Sequence, residues 1–238
     1  MKRALLILSI IFVFSSCDEL SQIVTQYPTS TTIGPPTNSE IVAALKDALR
    51  VGITNAVLET NQKDGFYGNS LIHIPVPEET KKVIKTLNNI GLSSLTQDFE
   101  MSLNRAAEEA SGKAVDIFTN AIMQMSIQDA VGIWKGEDDA ATQFLKRTTS
   151  NQLMQEFNPI TKRAIESVEV TKYWDDIANV YNSIPFVTKV NPDLNQYVNE
   201  KAIDGLFLLV ANEEKRIRQD PAARVTDILK RVFGYTEN

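Results

Sequence analysis

The sequence predicts a mainly α fold: a single multi-helix domain of about nine helices, with one short β-hairpin or strand pair near residues 66–74. Three observations carry that reading. Apolar residues recur at three- and four-residue spacing in one segment after another from Ile41 to Phe233, which is the period of an amphipathic helix. Capping residues stand before these stripes, and glycines such as Gly91, Gly136 and Gly234 stand after several of them. Only Leu71–Ile74 reads as a strand, and Pro75 and Pro77 end it.

The chain divides into three parts. Residues 1–16 read as a lipoprotein signal peptide: Lys2 and Arg3, then the apolar run Ala4–Phe14, then Ser15 and Ser16. That run is too short for a membrane span, which needs roughly 17 residues or more. Residues 17–37 read as a lipidated Cys17 followed by a flexible tether. The order of small residues and then Cys17 resembles the lipobox of bacterial lipoproteins, although Phe14 and Ser16 depart from its usual Leu and its usual Gly or Ala. Such a site would carry a diacylglycerol, and two acyl chains are what stable anchoring requires. Gly34, Pro35 and Pro36 keep the tether free of a helical stripe.

Residues 38–238 read as the helical domain. Thr37-Asn38-Ser39-Glu40 has the spacing of a capping box, and Ile41, Leu45, Ala48, Gly52 and Ala56 follow at helical intervals. Asn61–Ser70 is a loop rich in Gly and Asn. The strand candidate Leu71–Ile74 needs a partner, which is expected near Phe66. Glu78 and Glu79 begin a helix whose stripe is Val83, Ile84, Leu87 and Ile90. The next stripes are Leu95–Ala110 and Ala114–Met125. Ser126 caps a short helix, and Asp138 or Asp139 starts a longer one through Phe157. Asn158-Pro159, Asn191-Pro192 and Asp220-Pro221 each place a capping residue before a proline, the pattern of a helix start. Leu206–Ile217 and Ile228–Phe233 close the domain.

Composition and residue counts exclude several chemistries. The net charge of −6 repels phosphate backbones, so nucleic acid is not an expected partner. Removal of Lys2 and Arg3 with the signal peptide would deepen that charge. Hydrophobic residues make up 43% of the chain, enough to bury a core rather than remain disordered. Cys17 is the single cysteine, so there is no disulfide framework, and His73 is the single histidine. Metal sites that need two histidines or several thiolates are therefore out. No G-x-S-x-G, phosphate loop or dinucleotide fingerprint is present, and no cofactor is expected.

Three polar constellations remain. The first is Asn104, Arg105 and Glu108, with Glu109 beside them. Asn104 and Glu108 share a helix face next to Ala106, Ala107 and Ala110, whose small side chains let another helix approach. Arg105 is expected to pair with Asp129 or Glu214 on a different helix. The second is Asp129, Glu137, Asp138, Asp139 and Thr142 around Gly136. It reads either as helix capping or as a weak Ca²⁺ site without EF-hand spacing. The third is Glu213, Glu214, Arg216, Arg218, Asp220 and Arg224. Here Glu214–Arg218 and Asp220–Arg224 have the spacing of helical ion pairs, or the arginines could hold an anion.

Several short blocks carry a resemblance across roughly Asn38 to Gly234. They are Asp64-Gly65-Phe66 followed by Ile72–Pro77, Leu103-Asn104-Arg105-Ala106-Ala107-Glu108, Asp129-Ala130 with Ala140-Ala141-Thr142, Asp204-Gly205-Leu206-Phe207, and Pro221-Ala222-Ala223-Arg224. On these the chain resembles the domain of unknown function 4197 family of Gram-negative envelope proteins. The resemblance implies a cell-envelope location and carries no activity.

Two functions fit these readings. One is a non-enzymatic binding or scaffold module, held by its lipid at the inner or outer membrane and facing the periplasm, with a protein or small-molecule partner. The other is a hydrolase or lyase that uses Glu108 or Glu109 as acid/base. A pocket lined by Asn104, Arg105 and Glu108 would favour a ligand or catalysis, and a filled interior would favour a scaffold.

Overall fold

Helix α1 (Asn38–Thr60) begins at its capping box. Glu40 N–H donates to Thr37 Oγ1 at 3.3 Å, and Thr37 N–H donates to Glu40 Oε2 at 2.7 Å. The hydrogen bonds from Thr37 hold the Glu40 carboxyl below its ordinary range. The computed structural model describes residues 34–81, 93–167 and 193–235, with single positions 85, 89, 174, 179, 182, 183, 185, 186 and 189 between those stretches. The expected signal peptide, Cys17 and most of the expected tether lie outside the described residues. So do Val83, Ile84, Leu87, Ile90 and the Asn191-Pro192 cap.

Pro36–Asn238 forms one compact unit. After α1 come α2 (Ser93–Ser111), α3 (Ala114–Gln124), α4 (Ile127–Trp134), α5 (Ala140–Glu166), α6 (Leu194–Gln219) and α7 (Asp227–Phe233), with 3₁₀ turns at Glu78–Thr80 and Pro221–Ala223. Of the described residues, 76% are helical. Helix α6 is the hub and packs on α1, α2, α5 and α7, while α5 also covers α2 and α3. Twelve α6 residues are buried, from Leu194 to Ile217, so it reads as apolar on more than one face.

Small residues set the close approaches. Ala106, Ala107 and Ala110 are each fully buried where α2 meets its neighbours. A Cβ on Gly52 would stand 3.2 Å from Glu213 Cβ, so α1 and α6 nearly touch there. The gap left among α1, α5 and α6 has a volume of about 20 Å³, room for roughly one water.

Two expectations are corrected. The described residues contain seven α-helices, not about nine. One cause is Pro159, which was expected to start a helix and instead lies inside α5. Leu153, Phe157, Thr161 and Ile165 are buried on both sides of it, so one apolar stripe continues through the proline and burial outweighs the lost backbone bond. The other correction is the β-hairpin: among the described residues there is no strand, and residues 66–74 form turns and irregular backbone. What takes the place of a second strand is a side chain, described below.

Candidate functional site

The stretch 61–77 is fastened to one face of α2. Asn104 Oδ1 accepts from Ile74 N–H at 2.8 Å, and Asn104 Nδ2 donates to Ile74 O at 2.8 Å. One amide thus meets both backbone groups of Ile74, as a neighbouring strand would. The site is dry: Asn104 and Ile74 are each 0% exposed. One turn on, Glu108 Oε1 accepts from Phe66 N–H at 3.1 Å and Tyr67 N–H at 3.2 Å. One turn earlier, Glu100 Oε1 lies 2.6 Å from His73 Nε2, and His73 Nδ1 lies 2.9 Å from Tyr67 O. Glu100, Asn104 and Glu108 are spaced by four, so they make a single polar ladder along the helix.

Arg105 braces this ladder from the side. It donates to Glu108 Oε2 at 2.6 Å and to Asp64 Oδ1 at 2.6 Å, and its guanidinium stands over the Tyr67 ring at 5.8 Å. The Glu108 hydrogen bond, chiefly, raises the Arg105 pKa further. The expected partners Asp129 and Glu214 are not the ones found. Asp64 has φ 66°, a left-handed conformation that Asp adopts more readily than most residues. The turn it opens needs Gly65, where a Cβ would come within 2.3 Å of Glu59 O. Phe66 then reaches α6, where a Cβ on Gly205 would lie 2.9 Å from its ring and 3.1 Å from Ile72 Cβ.

The second centre sits where α4, α5 and α6 meet. Glu214 is buried, and its carboxylate accepts from Ala141 N–H at 2.9 Å, Thr142 N–H at 2.8 Å and Thr142 Oγ1 at 2.8 Å. It therefore caps α5, whose own N-cap residue Asp139 makes no side-chain cap bond. Arg218 donates to Glu214 Oε1 at 2.8 Å and to Ile133 O at 2.9 Å at the end of α4. An anion thus meets a helix start and a cation meets a helix end, as the helix dipoles favour. The expected Glu214–Arg218 pair exists, but its side chains are only 7% and 10% exposed, not a surface pair. Arg224 does not pair with Asp220. It donates to Ile217 O at 3.0 Å and Arg218 O at 2.7 Å, closing the end of α6, while Asp220 accepts from Ala222 N–H.

The expected acidic cluster is dispersed. Asp129 completes the α4 capping box with Ser126, and the Ser126 hydroxyl and backbone N–H hold its carboxyl below the usual range. Asp138 accepts from Gln219, Asp139 from Gln143, and Thr142 is bound to Glu214. Among the described residues no three His, Cys, Asp or Glu groups converge as metal ligands. Glu109 accepts from Arg163 of α5 at 2.9 Å, with both side chains half exposed or more.

Sequence reasoning passed over Thr161, Asn195 and Asn199. Asn199 and Thr161 are fully buried, and Thr161 Oγ1 lies 2.8 Å from Asn199 Oδ1 and in hydrogen-bond contact with Asn195 Oδ1. The missed signal was a pair of asparagines four apart within an apolar helix. No helix among the described residues is long and apolar enough to cross a membrane.

A family model described as "Protein of unknown function (DUF4197)" matches residues 35–234. No curated protein matches the chain, and no solved structure does.

Proposed function

The chain belongs to the DUF4197 family, and from that premise we propose that it is a lipid-anchored, non-enzymatic scaffold or binding module of the cell envelope. One observation carries the reading: Glu108 and His73, the polar residues best suited to chemistry, are engaged by backbone and side-chain groups within the fold. Glu108 gives one oxygen to two backbone N–H groups and the other to Arg105. Both ring nitrogens of His73 face acceptors within the fold. A general acid or base must reach a substrate proton, and these groups are turned inward to hold elements together. The location rests on the lipobox-like start, with Cys17 as the acylated residue and the domain facing the periplasm.

Two arms test this reading. The first follows acylation and fractionation of wild type and Cys17→Ser, labelled with a palmitate analogue. The substitution abolishes the label and releases the protein from membranes; a mutant that pellets as fully as wild type overturns the anchor. The second asks which variants rescue a strain lacking the gene. Glu109→Gln keeps the fold, because Glu109 is exposed, and it rescues as wild type does. Loss of rescue with normal protein levels would instead establish an acid/base role for Glu109.

A further inference from the structure

We infer that the cleft between the end of α4 and the end of α7 binds a small zwitterion that carries an aromatic ring, the class of the aromatic α-amino acids. Its volume is about 420 Å³, within the roughly 300–1,000 Å³ of small-molecule sites. Its walls come from two helix ends: Trp134 is the last residue of α4 and Phe233 the last of α7. A Cβ on Gly234 would come within 2.4 Å of Lys230 O, so the glycine lets the chain turn and set Tyr235 beside Trp134. Their ring centroids are 6.5 Å apart, with planes 36° from parallel. The floor is Arg218, whose guanidinium lies over the Phe233 ring at 5.8 Å and whose charge is met by Glu214.

Two sets of groups lining this cleft are left over by the fold. The first is aromatic. Among the described residues, the Trp134 indole N–H and the Tyr235 hydroxyl have no hydrogen-bond partner, although such groups usually find one when they are covered. The second is a pair of opposite charges on the rim. Lys135 and Asp138 both line the cleft, three residues apart, and make no ion pair with one another. The Lys135 ammonium has no partner among the described residues, and there the Asp138 carboxylate accepts only from the neutral side-chain amide of Gln219.

The rim selects the ligand's charge. An anion drawn to Lys135 meets the like charge of Asp138, and a cation drawn to Asp138 meets that of Lys135. A molecule that carries both signs meets an opposite charge at each residue. Its ring then packs against Trp134 and Tyr235, as tilted aromatic groups favour. The inference rests on the reading of the domain as a binding module, and it names the ligand class.

The test is titration of the full-length protein in a non-ionic detergent, followed by NMR of its indole N–H groups. The chain has two tryptophans, and Trp134→Phe identifies the signal of Trp134. Phenylalanine is the probe. The controls are 3-phenylpropionate, which lacks the ammonium, phenethylamine, which lacks the carboxylate, and alanine, which lacks the ring. Phenylalanine shifts the Trp134 signal saturably, with a midpoint on the order of millimolar. Each single-charge analogue binds roughly two- to fivefold weaker, the range of an exposed ion pair, and alanine gives no shift. Lys135 and Asp138 are exposed, so substitutions there keep the melting temperature. Lys135→Met weakens phenylalanine but not phenethylamine, and Asp138→Asn weakens phenylalanine but not 3-phenylpropionate, a crossed pattern that a purely structural role for these residues would not produce. No saturable shift of Trp134 up to about 50 mM, or single-charge analogues that bind as tightly as phenylalanine, overturns the inference. Should Trp134 respond to none of the probes while Glu109→Gln still rescues the deletion strain, this inference fails alone and the scaffold reading stands.

Discussion

The ladder on α2 and the junction around Glu214 solve one problem in two ways. Each lets a few side chains supply the partners that backbone groups lack. At the junction the unmet groups are helix ends, which carry partial charge, and the residues are charged to match: Glu214 at the start of α5, Arg218 at the end of α4. On the ladder the unmet groups belong to irregular backbone without a net dipole. There the deepest contact is a neutral amide, Asn104; Glu108 is as buried as Glu214, but its arginine sits nearer solvent. Arg105 is 31% exposed, against 10% for Arg218. At the helix ends both members of an ion pair are buried; on the ladder only the carboxylate is, and a neutral amide meets the deepest backbone groups at lower desolvation cost.

Variants can break that comparison, and the junction should yield the largest effect. Glu214→Ala strands Arg218 and uncaps α5; removing one member of a buried pair costs roughly 3–5 kcal/mol. Chemical denaturation reads this directly, and a loss under about 1 kcal/mol would mean that Glu214 behaves as a surface charge. Asn104→Leu comes next. It leaves Ile74 N–H and C=O buried without partners, at about 1–3 kcal/mol each, and faster hydrogen exchange at Ile74 shows whether the whole stretch 61–77 has been released. A variant that keeps Ile74 protected would refute the amide's role as a strand substitute.

Arg105→Ala is smaller, because Glu108 retains its two backbone N–H donors. A loss of about 1.5–3 kcal/mol is expected for hydrogen bonds to a charged group. Lys113→Ala, at an exposed position that makes no cap bond, leaves the melting curve unchanged. Overlaid curves for both variants would reduce the Arg105 contacts to ordinary surface contacts.

Acid titration gives the mildest effect and sharpens the contrast, because it acts on exposed caps outside both centres. The folded pKa values of Glu40 and Asp129 are lowered by their capping bonds. Their contribution is therefore complete above the ordinary carboxylate range and is lost as pH falls through the lowered values. Ser126→Ala removes the main cause at Asp129. The variant should melt lower than wild type at neutral pH, and the gap should close as pH falls through those lowered values. A gap that persists undiminished in acid would show that the cap does not depend on an ionised Asp129.

Much of the helical frame was legible along the chain. Thr37 with Glu40, and Ser126 as a cap, are local signals that work within one turn. The stripe Ile41, Leu45, Ala48, Gly52 and Ala56 is the buried face of α1, because a helix must turn its apolar residues to one side. The alanines of α2 announced a close contact, and the structure has one.

The partners were decided elsewhere. Arg105 finds Asp64 across 41 positions, and Glu214 caps the start of α5 at Ala141, 73 positions earlier. Pro159 fails to break α5 because buried residues on both sides of it outweigh its missing N–H. Leu71–Ile74 has the pattern of a strand, but strand pairing requires a second backbone, and what lies opposite Ile74 is the side chain of Asn104. Periodicity and capping are local, so the sequence by itself determined where the helices run. Which polar group meets which depends on how distant helices pack, so only the tertiary structure decided whether each charge and amide would lie in water, cap a helix, or replace a strand.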